Sequence, residues 1–509
     1  NYLAALHWPA GREAALALAW TDISTGAVAV LGTKASQWIG DMQRLRPREV
    51  LVPAGRLSEI AGHDQVSEAG IVLTPLAESQ YHGGRGARRL CEIYGVAQLD
   101  GLGDYSAAEV SALAALLDYV ALTQKGALPT LRPPVRERSE DLLAIDAGTR
   151  SNLELLETQT RERKGSLLWA IDCTVSKPGS RLLGAWLASP LANKARIEER
   201  LAATRYFFFE ADLRKTIRLR LTGLPDLARS LSRLTLNRGG PRDLALVADA
   251  VIAAQEAARA LIAGAAESRQ ALPERLGALI RHLTGPDGAA NDLAADLKSG
   301  LVPTPPVTPR EGKFVERDYD ETLEATRALR ENSRAVLGEL EKRYKEETGI
   351  GSLKIKHNNV LGYFIEVSAA QGERLLKAEG GPLAHRQTLA NAIRFTSEEL
   401  NALAGDIEAA QAKALGLERA HFDRWVAEVG ALAPVLSLMA EALAELDGLT
   451  ALADLAQTRS YVEPTLDASP VFEVEDGRHP VVEAMLREQG EAFVANDCKL
   501  NASGEAERL

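Results

Sequence analysis

The sequence predicts a multidomain, mainly α-helical protein with small, separate sheets, and three observations carry that prediction. The chain has 509 residues, and at roughly 100 to 200 residues per domain it must build several cores rather than one. Alanine and leucine recur at three- and four-residue spacing while aromatics make up only 5% of the chain, a balance that suits long helices packed through small and γ-branched side chains. Alternating segments are confined to the N-terminal region, a stretch around residue 360 and the tail, which limits where sheets can form.

Taken in order, the N-terminal region reads as an α/β module. Residues 15–20 and 27–31 are two short strands around the polar turn Thr21-Asp22-Ile23-Ser24-Thr25-Gly26, and a helical stretch from about Lys34 to Arg44 leads through Pro47 into a buried strand at residues 49–53. From about Ser106 to Leu301 helices dominate, punctuated by Pro133-Pro134, Pro178-Gly179, Gly239-Gly240-Pro241 and Gly285-Pro286. The proline-rich stretch 303–309 is a stiff, extended connector.

Two long helices then form an antiparallel hairpin. The first, from about Asp318 to Glu347 and on the order of 45 Å long, places Tyr319, Leu323, Thr326, Leu329, Val336, Leu340 and Tyr344 on one stripe. The second carries Leu403, Ile407, Ala410, Ala414, Leu417, Trp425, Val429 and Leu432 at the same spacing up to Pro434, which should kink or break it. Between them, residues 352–358 and 361–367 alternate around Asn358-Asn359, and residues 387–395 are a third candidate strand. A small sheet therefore sits at the hairpin tip, closed by Thr396-Ser397-Glu398-Glu399, a capping box that starts the returning helix. In the tail, residues 471–475 and 493–496 read as strands flanking a helix at 480–485, with Gly477-Arg478-His479-Pro480 as the turn between.

Charge points to a function only when read locally. With 59 Lys plus Arg against 70 Asp plus Glu, net charge −11, the chain lacks the basic excess that coats nucleic acid by bulk charge. Residues 351–395, however, hold six basic residues (Lys354, Lys356, Arg374, Lys377, Arg386 and Arg394) against three acids, whereas residues 396–457 hold three against eleven. Strand alternation puts Lys354, Lys356 and Asn358 on one face, opposite Leu353, Ile355 and His357. Such a face suits contact with phosphates that positions a duplex without reading its bases; two lysines on an ordinary solvated strand would look the same.

Other candidates are weaker. Asp22 on an early strand could begin a two-metal nuclease site, but the carboxylates that would join it (Glu49, Glu59, Asp64, Glu68) lie mostly in loop-like or helical surroundings, which favours a turn-capping role. His479 has no nearby Cys or His and is structural or part of a nucleotide pocket. Cys91, Cys173 and Cys498 are odd in number and widely spaced, so neither a disulfide framework nor a zinc site is expected. There is no Walker A loop, no G-x-S-x-G elbow, no membrane-spanning apolar run and no leader pattern, and the expected location is cytoplasmic. Asn501-Ala502-Ser503 matches a glycosylation acceptor that has no meaning there.

Several segments together resemble the bacterial MutS mismatch-repair family. They are Asp172-Cys173-Thr174 with Gly179, Arg181, Trp186-Leu187 and Pro190; Arg238 with Pro241-Arg242-Asp243-Leu244; Gly362-Tyr363-Phe364-Ile365 with Arg386-Gln387-Thr388-Leu389; and Gly477-Arg478-His479-Pro480-Val481-Val482 with Phe493-Val494-Ala495-Asn496. The resemblance implies an RNase H-like connector over 1–102, a helical lever and core over 103–350 and 396–456, a β-rich clamp over 351–395 and the first strands of an ABC-type ATPase over 457–509. It implies double-stranded DNA as partner, held at its backbone by the clamp, with Lys354, Lys356, Asn358, His385, Arg386, Gln387, Asn391 and Arg394 as contacts. It also implies a homodimer, a MutL-type repair partner and, in the bacterial cell, association with the nucleoid. ATP with Mg is the implied cofactor, with Phe493, Val494 and Asn496 on the adenine side. A mismatch-reading domain is expected before residue 1 and the phosphate loop after residue 509, so the chain reads as an excised middle, inactive as an ATPase alone. Ala390 stands where many members carry Lys, which would leave the clamp one cation short. A non-enzymatic helical DNA-binding scaffold and, further off, an RNase H-like nuclease are the alternative readings.

Overall fold

The structure, a computed structural model, describes residues 2–9, 15–63, 66, 70–124, 131–358, 360–377, 383–469 and 471–500, with the side chains of 147, 329–331, 333 and 334 left aside. Asn359, Asp64, Glu68 and Asn501-Ala502-Ser503, and the stripe position Leu329 for its side chain, therefore lie outside the described residues. The protein is mainly helical with small sheets. It divides into two compact units, one of residues 1–239, 243–295 and 428–509, the other of residues 240–242 and 296–427.

In the first unit, six strands form one sheet: β1 (Leu3–His7), β2 (Leu16–Asp22), β3 (Ala27–Thr33), β4 (Glu49–Pro53), β5 (Val72–Leu76) and β6 (Val135–Glu137), in the order β5-β4-β1-β2-β3-β6. The β1-β2-β3 meander is antiparallel, and β4, β5 and β6 add in parallel. Strand periodicity sorts the side chains. Ala5, Ala17 and Ala19 point to one face, where helix Ala107–Thr123 packs Leu113, Leu116 and Val120 against them. Leu6, Leu18 and Trp20 point to the other, against Trp38 and Met42 of helix Trp38–Leu45. Alanines on the first of these faces let helix Ala107–Thr123 lie close to the sheet.

Two readings change here. Leu3–His7, an apolar run too short to show a period, is the strand at the middle of the sheet. The helix that begins at Ser106 belongs to the module rather than to the helical region, so sheet and core run well past residue 102. Ser106 and Glu109 cap that helix reciprocally, and the Arg136 Nε donates to Glu109 Oε1 at 2.8 Å, tying β6 to the same helix.

The rest of this unit is helical, and its breaks obey local rules. Pro178 lies in the first turn of helix Lys177–Ala188 and Pro241 opens helix Pro241–Glu267, positions where the missing N–H costs nothing. Pro434 likewise lies in the first turn of helix Ala433–Arg459, so the predicted interruption is a full break at Leu432. In the tail, β11 (Phe472–Gly477) pairs with β12 (Asn496–Leu500). The second strand thus starts where the sequence reading had it end: residues 493–495 precede it as irregular chain.

In the second unit, helices Glu321–Thr348 and Glu398–Ala431, the latter as far as residue 427, carry a four-stranded sheet between them. Its strands are β7 (Lys354–Asn358), β8 (Gly362–Ser368), β9 (Ala384–Thr388) and β10 (Ala392–Thr396), ordered β7-β8-β10-β9 and antiparallel throughout. The single strand expected over 387–395 is a hairpin, closed where the Leu389 N–H donates to the Ala392 carbonyl at 2.8 Å. On the first helix the buried positions among the described side chains are Leu323, Thr326, Leu337, Leu340 and Tyr344, and Val336 is 51% exposed. Leu323, Leu337 and Tyr344 stand fourteen and seven residues apart, whole multiples of the heptad, one position away from the valine. The expected capping box also resolves differently. Ser397 is the cap, its Oγ accepting from the Leu400 N–H at 3.0 Å, while Thr396 bonds Asn401 and Glu399 pairs with Arg343.

The base of this unit is held by polar bonds around aromatic rings. The Tyr319 hydroxyl and the Trp425 Nε1 donate to Asp296 at 2.6 and 2.7 Å, and the rings of Tyr319, His421 and Trp425 pack together. His421 Nε2 lies 2.7 Å from Asp320, which also accepts from the Thr322 and Leu323 amides as the helix cap. The His421 contact, aided by those amides, holds the Asp320 carboxyl below its usual value. A carboxyl with a lowered folded value stabilises the fold above its unfolded value and loses that contribution as pH falls through the folded one. The urea midpoint of Asp320→Asn is therefore expected to lie below the parent's at neutral pH, with the gap closing as pH drops below about 4. A gap independent of pH would contradict the assignment.

Candidate nucleic-acid interface

Eight residues from the hairpin tip are predicted contacts, and all fall on or beside the four-stranded sheet. Its inner face is apolar: Leu353, Ile365, Val367, Ile393 and Phe395 pack on Leu337, Leu340 and Tyr344 of one helix and Leu400 and Ile407 of the other. The Tyr344 hydroxyl lies 2.6 Å from Ser397 Oγ, joining the two helices at the sheet's root. Two helices cover the inner face of the sheet, so its other face turns away from them.

That other face is a row of polar side chains in strand register. Lys354 is opposite Glu366, Glu366 opposite Arg394, and Arg394 opposite Gln387. The Lys356 Nζ donates to Glu366 Oε1 at 2.6 Å and the Arg394 Nε to Glu366 Oε2 at 3.1 Å. Arg394 further donates from Nη1 to Gln387 Oε1 at 2.9 Å, and its guanidinium lies over the Phe364 ring at 4.5 Å from the centroid. Lys356 holds the Glu366 carboxyl below the usual range and Arg394 adds to this, against partial burial. Lys354 is exposed and, among the described residues, makes no ion pair.

The remaining predicted residues are less uniform. Asn358 accepts from the Val360 and Leu361 amides at 3.0 and 2.7 Å, so its side chain shapes the β7-β8 turn. His385 bonds Thr388 across 2.9 Å on the edge strand β9, and His357, on the side away from the lysines, packs against Tyr363. Arg386 and Asn391 are exposed, Asn391 accepting at its carbonyl from the Ala369 amide. Sequence reasoning missed Glu366 and Phe364 as members of this face; their parity with Lys354 across β8 is the signal that places them there, and it needs the register.

The other candidates separate from this face. Asp22 forms a turn: its Oδ1 accepts from the Ser24 amide at 2.9 Å and hydroxyl at 2.6 Å, and Gly26 follows in the left-handed conformation, φ 71°. Glu49 begins β4 and accepts from Thr74 and Tyr119. His479 caps helix Pro480–Glu488. Arg478 beside it donates to Glu483 at 2.8 Å and to the Arg459 carbonyl at 2.8 Å, which ties the tail to the end of helix Ala433–Arg459. Phe493 is half-buried, Val494 is 79% exposed, and the Asn496 Nδ2 donates to the Val494 carbonyl at 3.1 Å. No described helix alone is long and apolar enough to cross a membrane.

Two family models match the chain: MutS domain II over residues 1–132 and MutS domain III over residues 148–453. Among curated relatives, proteins named DNA mismatch repair protein MutS are 43% identical over 492 residues in Cereibacter sphaeroides, 42% over 504 in Rhodopseudomonas palustris and 44% over 486 in Paracoccus denitrificans. These alignments cover 96%, 98% and 95% of this chain and 54% of each relative. The chain spans about half the length of the curated relatives it matches.

Proposed function

The chain belongs to the MutS family of DNA mismatch repair proteins, and from that premise we propose that it is the part of a mismatch-repair clamp that grips duplex DNA by its backbone. The observation that carries the proposal is the tip sheet packed on its two helices, which concentrates Lys354, Lys356 and Arg394 on one face of a chain that is acidic overall. Lysine and arginine at strand spacing meet phosphates without reading bases. In this reading residues 351–395 are the clamp, the long helices and the helical region form the lever and core, and the N-terminal module, whose antiparallel meander is extended by parallel strands, is an RNase H-like connector. The tail is the start of an ATPase domain. Mispaired bases are read by another part of the longer protein, which works as a homodimer, hands the signal to a MutL-type partner and acts in the cytoplasm at the nucleoid.

ATP with Mg would supply the energy that switches the clamp between states. Accessible apolar atoms of Phe493 and Val494 suit the face of an adenine, with Asn496 beside them. The sequence of this chain holds no G-x-x-x-x-G-K-S/T loop to cradle its phosphates, and ATP hydrolysis by this chain is not expected. Purified chain free of other ATPases should release no phosphate above background.

A metal-dependent cleavage assay separates the clamp from a nuclease. Both the parent and Asp22→Ala are expected to leave duplex DNA intact with Mg or Mn, because Asp22 serves its own turn. Cutting by the parent that Asp22→Ala abolishes would favour the nuclease instead.

A further inference from the structure

Glu366 is an acid on a face proposed to bind a polyanion, and by Coulomb's law alone it should weaken that binding. Its contacts point the other way. One oxygen of its carboxylate takes the Lys356 Nζ and the other takes the Arg394 Nε, so two cations from different strands are fixed on a single group. Arg394 is held at two further points, by Gln387 and by the Phe364 ring, and its side chain is only 20% exposed. Among the described residues its Nη2 has no hydrogen-bond partner, which leaves that edge available for a ligand oxygen. Long cationic side chains lose much rotamer freedom when they bind, and a carboxylate that orders them beforehand removes that cost from the binding step.

We propose that Glu366 is a positioning residue for phosphate contact at the tip: it holds Lys356 and Arg394 side by side so that a DNA phosphate meets two ordered cations. The inference rests on the clamp reading above and adds to it a requirement for a carboxylate of this length at this register position. Charge and geometry predict opposite signs, which makes the role testable.

The test measures binding of labelled duplex DNA by the 509-residue chain across a salt series, for the parent, Glu366→Gln, Glu366→Asp and the double variant Lys354→Ala/Lys356→Ala. Glu366→Gln is expected to bind roughly three- to tenfold more weakly despite the lost negative charge, and with a shallower salt slope. Glu366→Asp keeps the charge but is one methylene shorter, so it should weaken binding in the same direction while retaining the parent's urea midpoint. Tighter binding by Glu366→Gln would show that the carboxylate merely subtracts charge and would overturn the proposal. So would parent-like binding by both single variants, or affinity losses that only track loss of folded sheet. If the double lysine variant binds as the parent does, the tip contact itself falls, and this role with it.

Discussion

Replacing Lys354 and Lys356 together by alanine is expected to weaken duplex binding and to flatten its salt dependence by about two units of slope at most. Each phosphate neutralised by a cation releases condensed counterions, and the slope of log affinity against log salt counts those contacts at roughly 0.9 per phosphate. The two lysines alternate on β7 and stand on the outward face, while Leu353 and Ile355 beside them turn to the core. Loss of the ammonium groups therefore leaves the packed side of the sheet untouched, and the urea midpoint should hardly move. A scaffold that binds DNA elsewhere would keep both its affinity and its slope. Because the contacts are to phosphate, the loss should be similar for duplexes of different sequence.

A large effect on stability is expected from a single methyl group in the first unit. Asp447, in helix Ala433–Arg459, is fully buried and accepts from the Val175 amide at 3.0 Å, the Ser176 amide at 2.8 Å and the Ser176 hydroxyl at 2.5 Å. Burial raises the pKa of this carboxyl, and the three donors compensate for its lost hydration. Gly179 faces it so closely that a Cβ there would stand 2.2 Å from Asp447 Oδ2 and 2.8 Å from its Cβ. The aspartate cannot swing aside without abandoning buried donors. Gly179→Ala should therefore destabilise the chain by about 3 kcal/mol or more, from overpacking and broken hydrogen bonds together. Gly338→Ala is the control: it lies mid-helix with nothing within 4 Å of the added Cβ, and should stabilise by about 0.5 to 1 kcal/mol. Equal urea midpoints for the two variants would contradict this account of the Asp447 site.

What the sequence made legible follows from which signals are local. The hairpin and its tip sheet were readable because long apolar stripes and strand alternation are periodic, and because charge changes sign between residues 351–395 and 396–457. The β9-β10 hairpin was not, since Leu389-Ala390-Asn391 turns without the glycine or proline that usually marks a turn. β1 was missed because Leu3-Ala4-Ala5-Leu6 is an apolar run that suits a buried strand or a helix equally, and only the neighbours β2 and β4 make it a strand. Val336 and Leu337 stand four and three residues before Leu340, so helical spacing fits either one; the buried choice depends on where Leu340 and Tyr344 meet the sheet. Within the candidate site, the cations were visible but their organiser was not. Glu366 counts as one acid among six basic residues in the sequence, and only the cross-strand register places it between Lys354 and Arg394.

The central claim, that the tip sheet is where duplex DNA is held, is tested most directly by lysine acetylation footprinting of the unmodified chain with and without duplex. Lys354 and Lys356 are exposed on the sheet, and Lys342 and Lys413 are exposed on the two helices below it, so all four react in the free protein. The account predicts that duplex DNA protects Lys354 and Lys356, that added salt reverses the protection, and that Lys342 and Lys413 react as before. Protection of the helix lysines with Lys354 and Lys356 still fully reactive would contradict it.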